Sequence, residues 1–270
     1  MGAGWIKSTS KFVSALAMLG GASLLVPSCA DNGVSLFIRG VIAIKAPDCI
    51  AKPDADATLW PSLYFDSAIT TQVEVPLLIG SQLFGRGDPK TSRGEPNRIQ
   101  LSGAEVELTD TGGAAIVPKF TVPTLGVVDP TASSDASYGV AYVTLIPSGV
   151  AAAVVAKTGA TNYATRKLIL ANVKVFGKTL GGTDVESLPV AIQIYACFGC
   201  SVIFPSDAAD AAVGSPNCLK ASTQSKTCLK GVEQTSCQDC NAVACFNCFE
   251  DAGCPAGLVC DIPVGRCRLK

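Results

Sequence analysis

Cysteine is the residue type of this chain that could do the most chemistry. The chain has 270 residues and thirteen cysteines, eleven of them within residues 197–267. Their thiols could form disulfides, bind a metal ion or exchange electrons with another thiol. Two Cys-x-x-Cys pairs, Cys237 with Cys240 and Cys245 with Cys248, are separated by only four residues, whereas structural zinc sites usually leave about a dozen or more. This spacing favours disulfides, and no metal ligand is predicted.

A third pair, Cys197-Phe198-Gly199-Cys200, directly follows a predicted strand. Redox sites of this kind lower the pKa of the attacking thiol by placing it at the start of a helix. The residues that follow, 201–205, include Val and Ile and end in proline, which makes a poor helix start. A thiol-redox role therefore ranks below a structural role.

The other residue types give little support to acid–base catalysis. The chain has no histidine, which excludes His-based triads and imidazole metal ligands. Glu105 and Glu107 alternate with Val106 and Leu108, a pattern typical of the solvated face of a strand. We predict no catalytic residue and no cofactor, and an enzyme ranks third among the functions considered. The net charge of −1 gives no reason to expect nucleic acid as a partner.

Two loop motifs are also better explained without a ligand. Arg86-Gly87-Asp88 spells the tripeptide that integrins recognise, but its glycines and the following proline are typical of a turn. Asp54 and Asp56, with Asp66 further on, supply too few oxygens for calcium, which takes about six to eight.

Residues 1–29 have the features of an export signal. Lys7 and Lys11 precede an apolar run at residues 12–26, which is too short to span a bilayer but suits the core of a signal peptide. Two cleavage alternatives remain open. Val26-Pro27-Ser28-Cys29 resembles the lipobox of bacterial lipoproteins, in which the cysteine is lipidated and becomes the mature N-terminus. Ser28-Cys29-Ala30 instead fits ordinary secretion, with cleavage before Asp31.

Both alternatives remove Cys29 from the free thiols and leave twelve, an even number that predicts six disulfides in an exported chain. Cys49 is the only one of the twelve within residues 30–196, so it needs a partner from the tail. We expect that partner to be Cys197 or Cys200. Disulfides, each contributing about 2–4 kcal/mol, would hold a tail that has few large apolar side chains. The disulfide candidates are Cys49, Cys197, Cys200, Cys218, Cys228, Cys237, Cys240, Cys245, Cys248, Cys254, Cys260 and Cys267.

Residues 30–196 are predicted to form a β-sandwich domain. Leu36, Ile38, Ile42 and Ile44 alternate along one segment and are expected on one face of a first strand. The apolar alternation changes phase at Gly103, which predicts a β-bulge. The number and spacing of the strands predict an antiparallel, immunoglobulin-like sandwich. Further strands are expected at 58–66, 72–80, 98–109, 114–122, 139–146, 166–176 and 188–196, and a helix at 150–157 between a Ser148 cap and Gly159.

Residues 197–270 are predicted to form a small disulfide-stapled module. The spacing of Cys248, Cys254, Cys260 and Cys267 resembles the short cysteine-rich repeat of Dickkopf-type domains. The export signal, the sandwich-like body, the glycine-rich turn at 177–182 and the first Cys-x-x-Cys pair together resemble uncharacterised cysteine-rich lipoproteins of myxobacterial type. These resemblances imply an extracellular disulfide knot, and they do not indicate which ligand it binds.

These features lead to one expected function and one alternative. The protein is expected to be an exported, non-enzymatic lipoprotein with a structural or binding role, anchored through lipidated Cys29 to the outer membrane of a Gram-negative cell. Its partners would be that membrane and an unidentified protein or glycan ligand. The alternative is a soluble secreted inhibitor or ligand protein of the same build, in the periplasm or outside the cell.

Overall fold

The computed structural model describes residues 35–87, 94–203, 226–237 and 239, together with the backbone of four short strands in the tail. The predicted signal peptide and lipidation site, Cys29, lie outside the described residues, as do Cys218, Cys240, Cys245, Cys248 and Cys254. In the part of the chain that is described, no helix combines the length and the hydropathy needed to cross a bilayer.

The described chain is mainly β, as the apolar alternation predicts. Helix α1 (Ser148–Thr158) is its one described helix. The strands of the body are β1 (Leu36–Ile42), β2 (Leu59–Trp60), β3 (Leu63–Asp66), β4 (Val73–Ser81), β5 (Ile99–Asp110), β6 (Phe120–Val128), β7 (Ser137–Ile146), β8 (Arg166–Thr179), β9 (Asp184–Glu186) and β10 (Val190–Cys197). The tail adds β11 (Val202–Ile203), β12 (Ala209–Asp210), β13 (Ser215–Pro216), β14 (Thr235–Ser236), β15 (Leu258–Asp261) and β16 (Arg266–Leu269).

The body strands form two sheets. One has the order β2-β1-β4-β7, and the other has the order β3-β10-β8-β5-β6, with β9 paired to β8. The described pairings in these sheets are antiparallel except that of β3 with β10, which is parallel. The expectation of a wholly antiparallel body is therefore wrong at this edge, because the chain passes from one sheet to the other between β2 and β3.

Apolar side chains of both sheets form one buried cluster. Val75 and Leu77 of β4, Val106 of β5 and Val173 of β8 belong to it, and each is 0% exposed. Burying an aliphatic side chain of this size contributes about 1.5–3 kcal/mol, so the cluster holds the sheets against each other. Val154 of α1 joins the same cluster.

Strand β1 changes face at a bulge. Leu36 and Ile38 lie in the main cluster, whereas Ile42 and Ile44 pack in a second cluster that the loop after β1 covers. The pairing of β1 with β4 shifts register between Ile38 and Gly40, and such a shift moves the following side chains to the other face of the sheet. The expectation that these four apolar residues share one face is therefore wrong.

Two predictions that depend on glycine are confirmed. The register of β5 shifts between Leu101 and Gly103, where an added Cβ would lie 2.4 Å from the ring of Phe176. Helix α1 ends at Gly159, whose φ of 70° is left-handed and whose N–H is donated to the Val155 carbonyl. The predicted cap at the other end is wrong, since the residue there is Pro147 and no side chain caps the helix.

The strand expected at 114–122 lies instead at Phe120–Val128, as β6. The residues before it form a turn around Asp110, whose Oδ1 accepts the N–H of Gly112 at 2.8 Å and that of Ala114 at 2.9 Å. β6 contains Pro123 and lies at the edge of its sheet, where a missing backbone N–H is tolerated.

Candidate functional site

A cleft with a volume of about 450 Å³ lies beside the segment that joins the two sheets. This volume falls within the range of about 300–1,000 Å³ that is typical of small-molecule sites. None of the lining residues was predicted as a site residue from the sequence, because they come from three distant parts of the chain. They are Trp60, Ser62 and Tyr64 from the β2–β3 segment, Ile203 from β11, and Lys226, Thr227, Glu233 and Gln234 from the tail.

The β2–β3 segment forms the aromatic wall of the cleft. Trp60, Ser62 and Tyr64 are spaced by two residues, and side chains so spaced share one side of an extended chain. Pro61 lies between the two strands and has no N–H to continue a ladder. Trp60 also packs against both buried clusters, so its ring is supported from behind.

Tyr64 is positioned by neighbours on the six-stranded sheet. It lies opposite Tyr195 in the pairing of β3 with β10, and the two ring centroids are 6.2 Å apart. The guanidinium carbon of Arg166 lies 4.1 Å from the Tyr195 centroid and 5.4 Å from the Tyr64 centroid. These are cation–π distances. The contacts restrict the Tyr64 side chain independently of any ligand.

The tail wall is a tight turn closed by Glu233. Oε1 of this residue accepts the N–H of Leu229 at 2.8 Å and also that of Cys228. Inside the turn, Gly231 has a φ of 76°, and an added Cβ would lie 2.8 Å from Cγ2 of Thr70. Only glycine suits this combination of left-handed backbone and close packing.

The two walls are joined by backbone hydrogen bonds, and a disulfide fastens the tail wall to the loop after β1. The Tyr64 N–H is donated to the Val232 carbonyl at 2.8 Å, and the Asp66 N–H is donated to the Gly231 carbonyl at 3.0 Å. Cys49, in the loop after β1, is bonded to Cys228. Because its walls are held in this way, the cleft keeps its shape without a ligand.

The disulfides correct one prediction. Cys49 does not pair with Cys197 or Cys200, which are bonded to each other. Cys49 and Cys228 are partly buried and pack against the second buried cluster on the four-stranded sheet, whereas Cys197 ends β10 in the other sheet. Cys237 is also disulfide-bonded. In the tail hairpin of β15 and β16, the backbone of Cys260 lies opposite that of Cys267.

Glu233 is the ionisable group of the cleft whose environment is most unusual. Burial raises the pKa of its carboxyl above the ordinary value, against the lowering effect of the N–H groups of Leu229 and Cys228. Lys226, which carries the opposite charge, lines the same cleft and is exposed.

Replacing Glu233 with glutamine is expected to stabilise the protein more at pH 8 than at pH 4. Glutamine keeps an oxygen for the two N–H groups and has no charge to desolvate. The pKa of Glu233 in the folded protein is raised above that in the unfolded chain, which is about 4.3. The neutral carboxyl therefore suits the folded state better than the charged one, and the wild-type protein loses stability as the pH rises through the folded pKa. The gain in Tm at pH 8 should be small, about 1–2 °C, since the group is still partly solvated. Thermal melts between pH 4 and pH 8 measure it, with Glu74→Gln at an exposed position of β4 as the control. An effect equal at every pH would contradict the expectation.

Away from the cleft, a group of hydrogen-bond donors surrounds the carboxylate of Asp66, which is 0% exposed. Its Oδ1 accepts the N–H of Gly199 at 2.6 Å and that of Ala68 at 3.1 Å, and its Oδ2 accepts the N–H and the hydroxyl of Ser201 at 2.9 and 2.7 Å. Asp66, Cys197 and Cys200 bring ligand atoms within 4.8 Å of one another. The two sulfurs are bonded to each other, however, so they are not thiolate ligands, and the carboxylate instead fixes the turn that contains the disulfide.

The remaining sequence motifs are not brought together. Oδ1 of Asp54 accepts the N–H of Asp56 at 2.9 Å in an exposed turn, whereas Asp66 is buried. Glu105 lies 3.1 Å from Lys119 across the β5–β6 pair. Glu107 is two residues further along the same strand.

The loop with the integrin-type tripeptide is organised by Glu95. Its carboxylate accepts the N–H of Gly87 at 2.7 Å and those of Arg86 and Asn97 at 2.9 Å. These bonds, that of Gly87 above all, hold the pKa of Glu95 below its ordinary value. Asp88 lies outside the described residues.

The cleft therefore combines two supported aromatic rings with polar side chains on walls that are hydrogen-bonded to each other, an arrangement suited to holding a small polar ligand. No protein-family model matches the chain, and a comparison with curated proteins finds no match.

Proposed function

We propose that this protein is an exported, non-enzymatic binding protein of a Gram-negative cell envelope, lipid-anchored to the outer membrane through Cys29. The N-terminal sequence pattern supports export, and the oxidised state of Cys49, Cys197, Cys200 and Cys228 is what an oxidising compartment would produce. The membrane, through the lipid anchor, and one ligand are its partners. Nucleic acid is not among them.

The observation that carries the binding role is the preformed cleft. Its aromatic wall is supported by Arg166 and Tyr195, and its tail wall is fastened by the Cys49–Cys228 disulfide. A site that is rigid before binding loses less conformational freedom when a ligand arrives. Rigid walls alone would serve a structural role equally well, but the exposed polar side chains facing the cleft favour ligand binding.

We also assign the body to the immunoglobulin-like sandwich class, followed by a disulfide-stapled tail module from residue 197. The shared core between two sheets supports the sandwich. The parallel pairing of β3 with β10 departs from the usual pattern of that class. Residues 228–232 pack on the body through Leu229 and Val232, so this part of the module is closely attached to it.

Fluorescence of Trp60 tests the binding role. The chain has two tryptophans, Trp5 and Trp60. Cleavage before Cys29 removes Trp5, so the mature protein reports from the cleft alone. The purified mature protein is titrated with a library of sugars, short peptides and lipid headgroups. A saturable change in the emission of Trp60 with a member of the library is expected, and an unchanged spectrum throughout would refute the proposal.

Mass spectrometry of the mature N-terminus distinguishes the lipoprotein from the alternative, a soluble secreted inhibitor or ligand protein. A lipoprotein would begin at Cys29 with a diacylglyceryl adduct. A secreted protein would begin at Asp31 without one. Cys29→Ser should convert the first result into a protein that leaves the membrane fraction.

A further inference from the structure

The cleft presents hydrogen-bonding groups of both kinds around two aromatic rings. Ser62, Thr227 and Gln234 can each donate and accept, Lys226 donates, and Glu233 accepts in its ionised form. Trp60 and Tyr64, placed by the contacts described above, supply apolar ring faces. A matching ligand therefore needs an apolar face next to a dense ring of polar groups.

The charges of the lining argue for a neutral ligand. Lys226 and Glu233 face the same cleft with opposite charges. Lys226 would attract an anionic ligand and Glu233 would repel it, whereas a cationic ligand would be attracted by Glu233 and repelled by Lys226. The three other polar side chains of the lining are uncharged.

An extended peptide fits this site poorly. Peptides that bind beside a sheet add as a strand and use the backbone groups of the sheet edge. The N–H groups of Tyr64 and Asp66, on the outer edge of β3, are already donated to carbonyls of Val232 and Gly231. The tail thus occupies the edge that a peptide would need.

Sugar rings meet all three requirements. A pyranose has an apolar face of C–H groups that can lie on an aromatic ring, hydroxyls that both donate and accept, and no charge. The volume of about 450 Å³ has room for a short oligosaccharide. We infer that the cleft binds a neutral saccharide, with its rings on Trp60 and Tyr64 and its hydroxyls on Ser62, Thr227, Glu233 and Gln234. This inference rests on the proposed binding function.

The test uses the mature protein, whose only tryptophan is Trp60, and neutral tetrasaccharides of glucose, mannose, galactose and N-acetylglucosamine. Saturable quenching or enhancement of Trp60 emission by at least one of them is expected. Gln234→Ala and Tyr64→Leu should each weaken that binding about tenfold or more. Their matched controls, Gln100→Ala and Tyr142→Leu, change exposed residues outside the cleft and should leave the affinity within about twofold.

The possible failures are distinguishable. If no tetrasaccharide changes the Trp60 signal but a peptide or a lipid headgroup does, the saccharide inference is overturned and the binding function stands. If nothing changes the signal, both are overturned. If the control substitutions weaken binding as much as the cleft substitutions do, the sugar binds elsewhere, and the inference is again overturned. Because Tyr64→Leu could perturb β3, Gln234→Ala decides if the tyrosine variant fails to fold.

Discussion

Replacing Asp66 with alanine is expected to lower the free energy of unfolding by about 3–4 kcal/mol, near the upper end of single-substitution effects. The carboxylate is fully buried and accepts hydrogen bonds from the N–H groups of Gly199, Ala68 and Ser201 and from the Ser201 hydroxyl. Removing it takes this acceptor from the buried N–H groups of Gly199 and Ser201, at about 1–3 kcal/mol each. The Ala68 N–H is only part-buried and the Ser201 hydroxyl can rotate, so these two donors add less. Urea unfolding under oxidising conditions measures the loss, and hydrogen exchange should speed up at Gly199 and Ser201.

Asp110 provides the matched control for Asp66. Its Oδ1 also accepts two backbone N–H groups, from Gly112 and Ala114, but in a turn open to water. Asp110→Ala should therefore cost less than about 1.5 kcal/mol, because water can replace the lost acceptor. Asp66→Asn keeps the shape of the side chain but offers one oxygen fewer. Its loss of free energy of unfolding should therefore lie between those of the two alanine variants. If Asp66→Ala costs no more than Asp110→Ala, the carboxylate does not organise the disulfide turn.

Removing the Cys49–Cys228 disulfide with the double variant Cys49→Ser/Cys228→Ser should lower the free energy of unfolding by about 3–5 kcal/mol. The bond joins residues 179 apart in sequence, and a long loop leaves the unfolded chain much more freedom once the bond is gone. The tail wall of the cleft should also loosen, since Cys228 supplies one of the two backbone N–H groups that Glu233 accepts. Saccharide binding, read from Trp60, should weaken with it.

The Cys197–Cys200 disulfide is the natural comparison. It joins residues only 3 apart, so the same chain-entropy estimate gives about 2 kcal/mol for its removal. The variant Cys197→Ser/Cys200→Ser should therefore be the more stable of the two double variants and should keep the Trp60 response. Equal losses from both would show that loop length does not set the contribution of these bonds. A Cys49→Ser/Cys228→Ser protein with unchanged stability would contradict the role given to the long-range bond.

Features that depend on local chain geometry could be predicted from the sequence. The alternation of residues 139–146 predicted the strand found as β7, and the phase change at Gly103 predicted the register shift in β5. Gly159 predicted the end of α1. Each of these signals lies within a few residues, and its physical cause, side-chain alternation or the freedom of glycine, acts over the same distance.

Local signals failed where a neighbouring strand decided the outcome. Ile42 and Ile44 were expected beside Leu36, but pairing with β4 shifted the register of β1 and moved them to the opposite face. β6 begins later than expected, because the turn at Asp110 uses the residues before it and the sheet edge tolerates Pro123. In both cases the pairing partner, which the local pattern does not contain, set the boundaries.

A mainly β chain with its cysteines concentrated in the tail could be predicted from the amino-acid sequence, because alternation and composition are properties of the chain alone. Three features depend on how distant segments pack. Cys49 is bonded to Cys228, Asp66 is buried under the Cys197–Cys200 turn, and Trp60, Tyr64 and Glu233 line one cleft. These are contacts between residues more than a hundred positions apart, apart from that of Trp60 with Tyr64. They follow from how two sheets and a tail segment pack together, and the spacing of residues along the chain does not predict that packing.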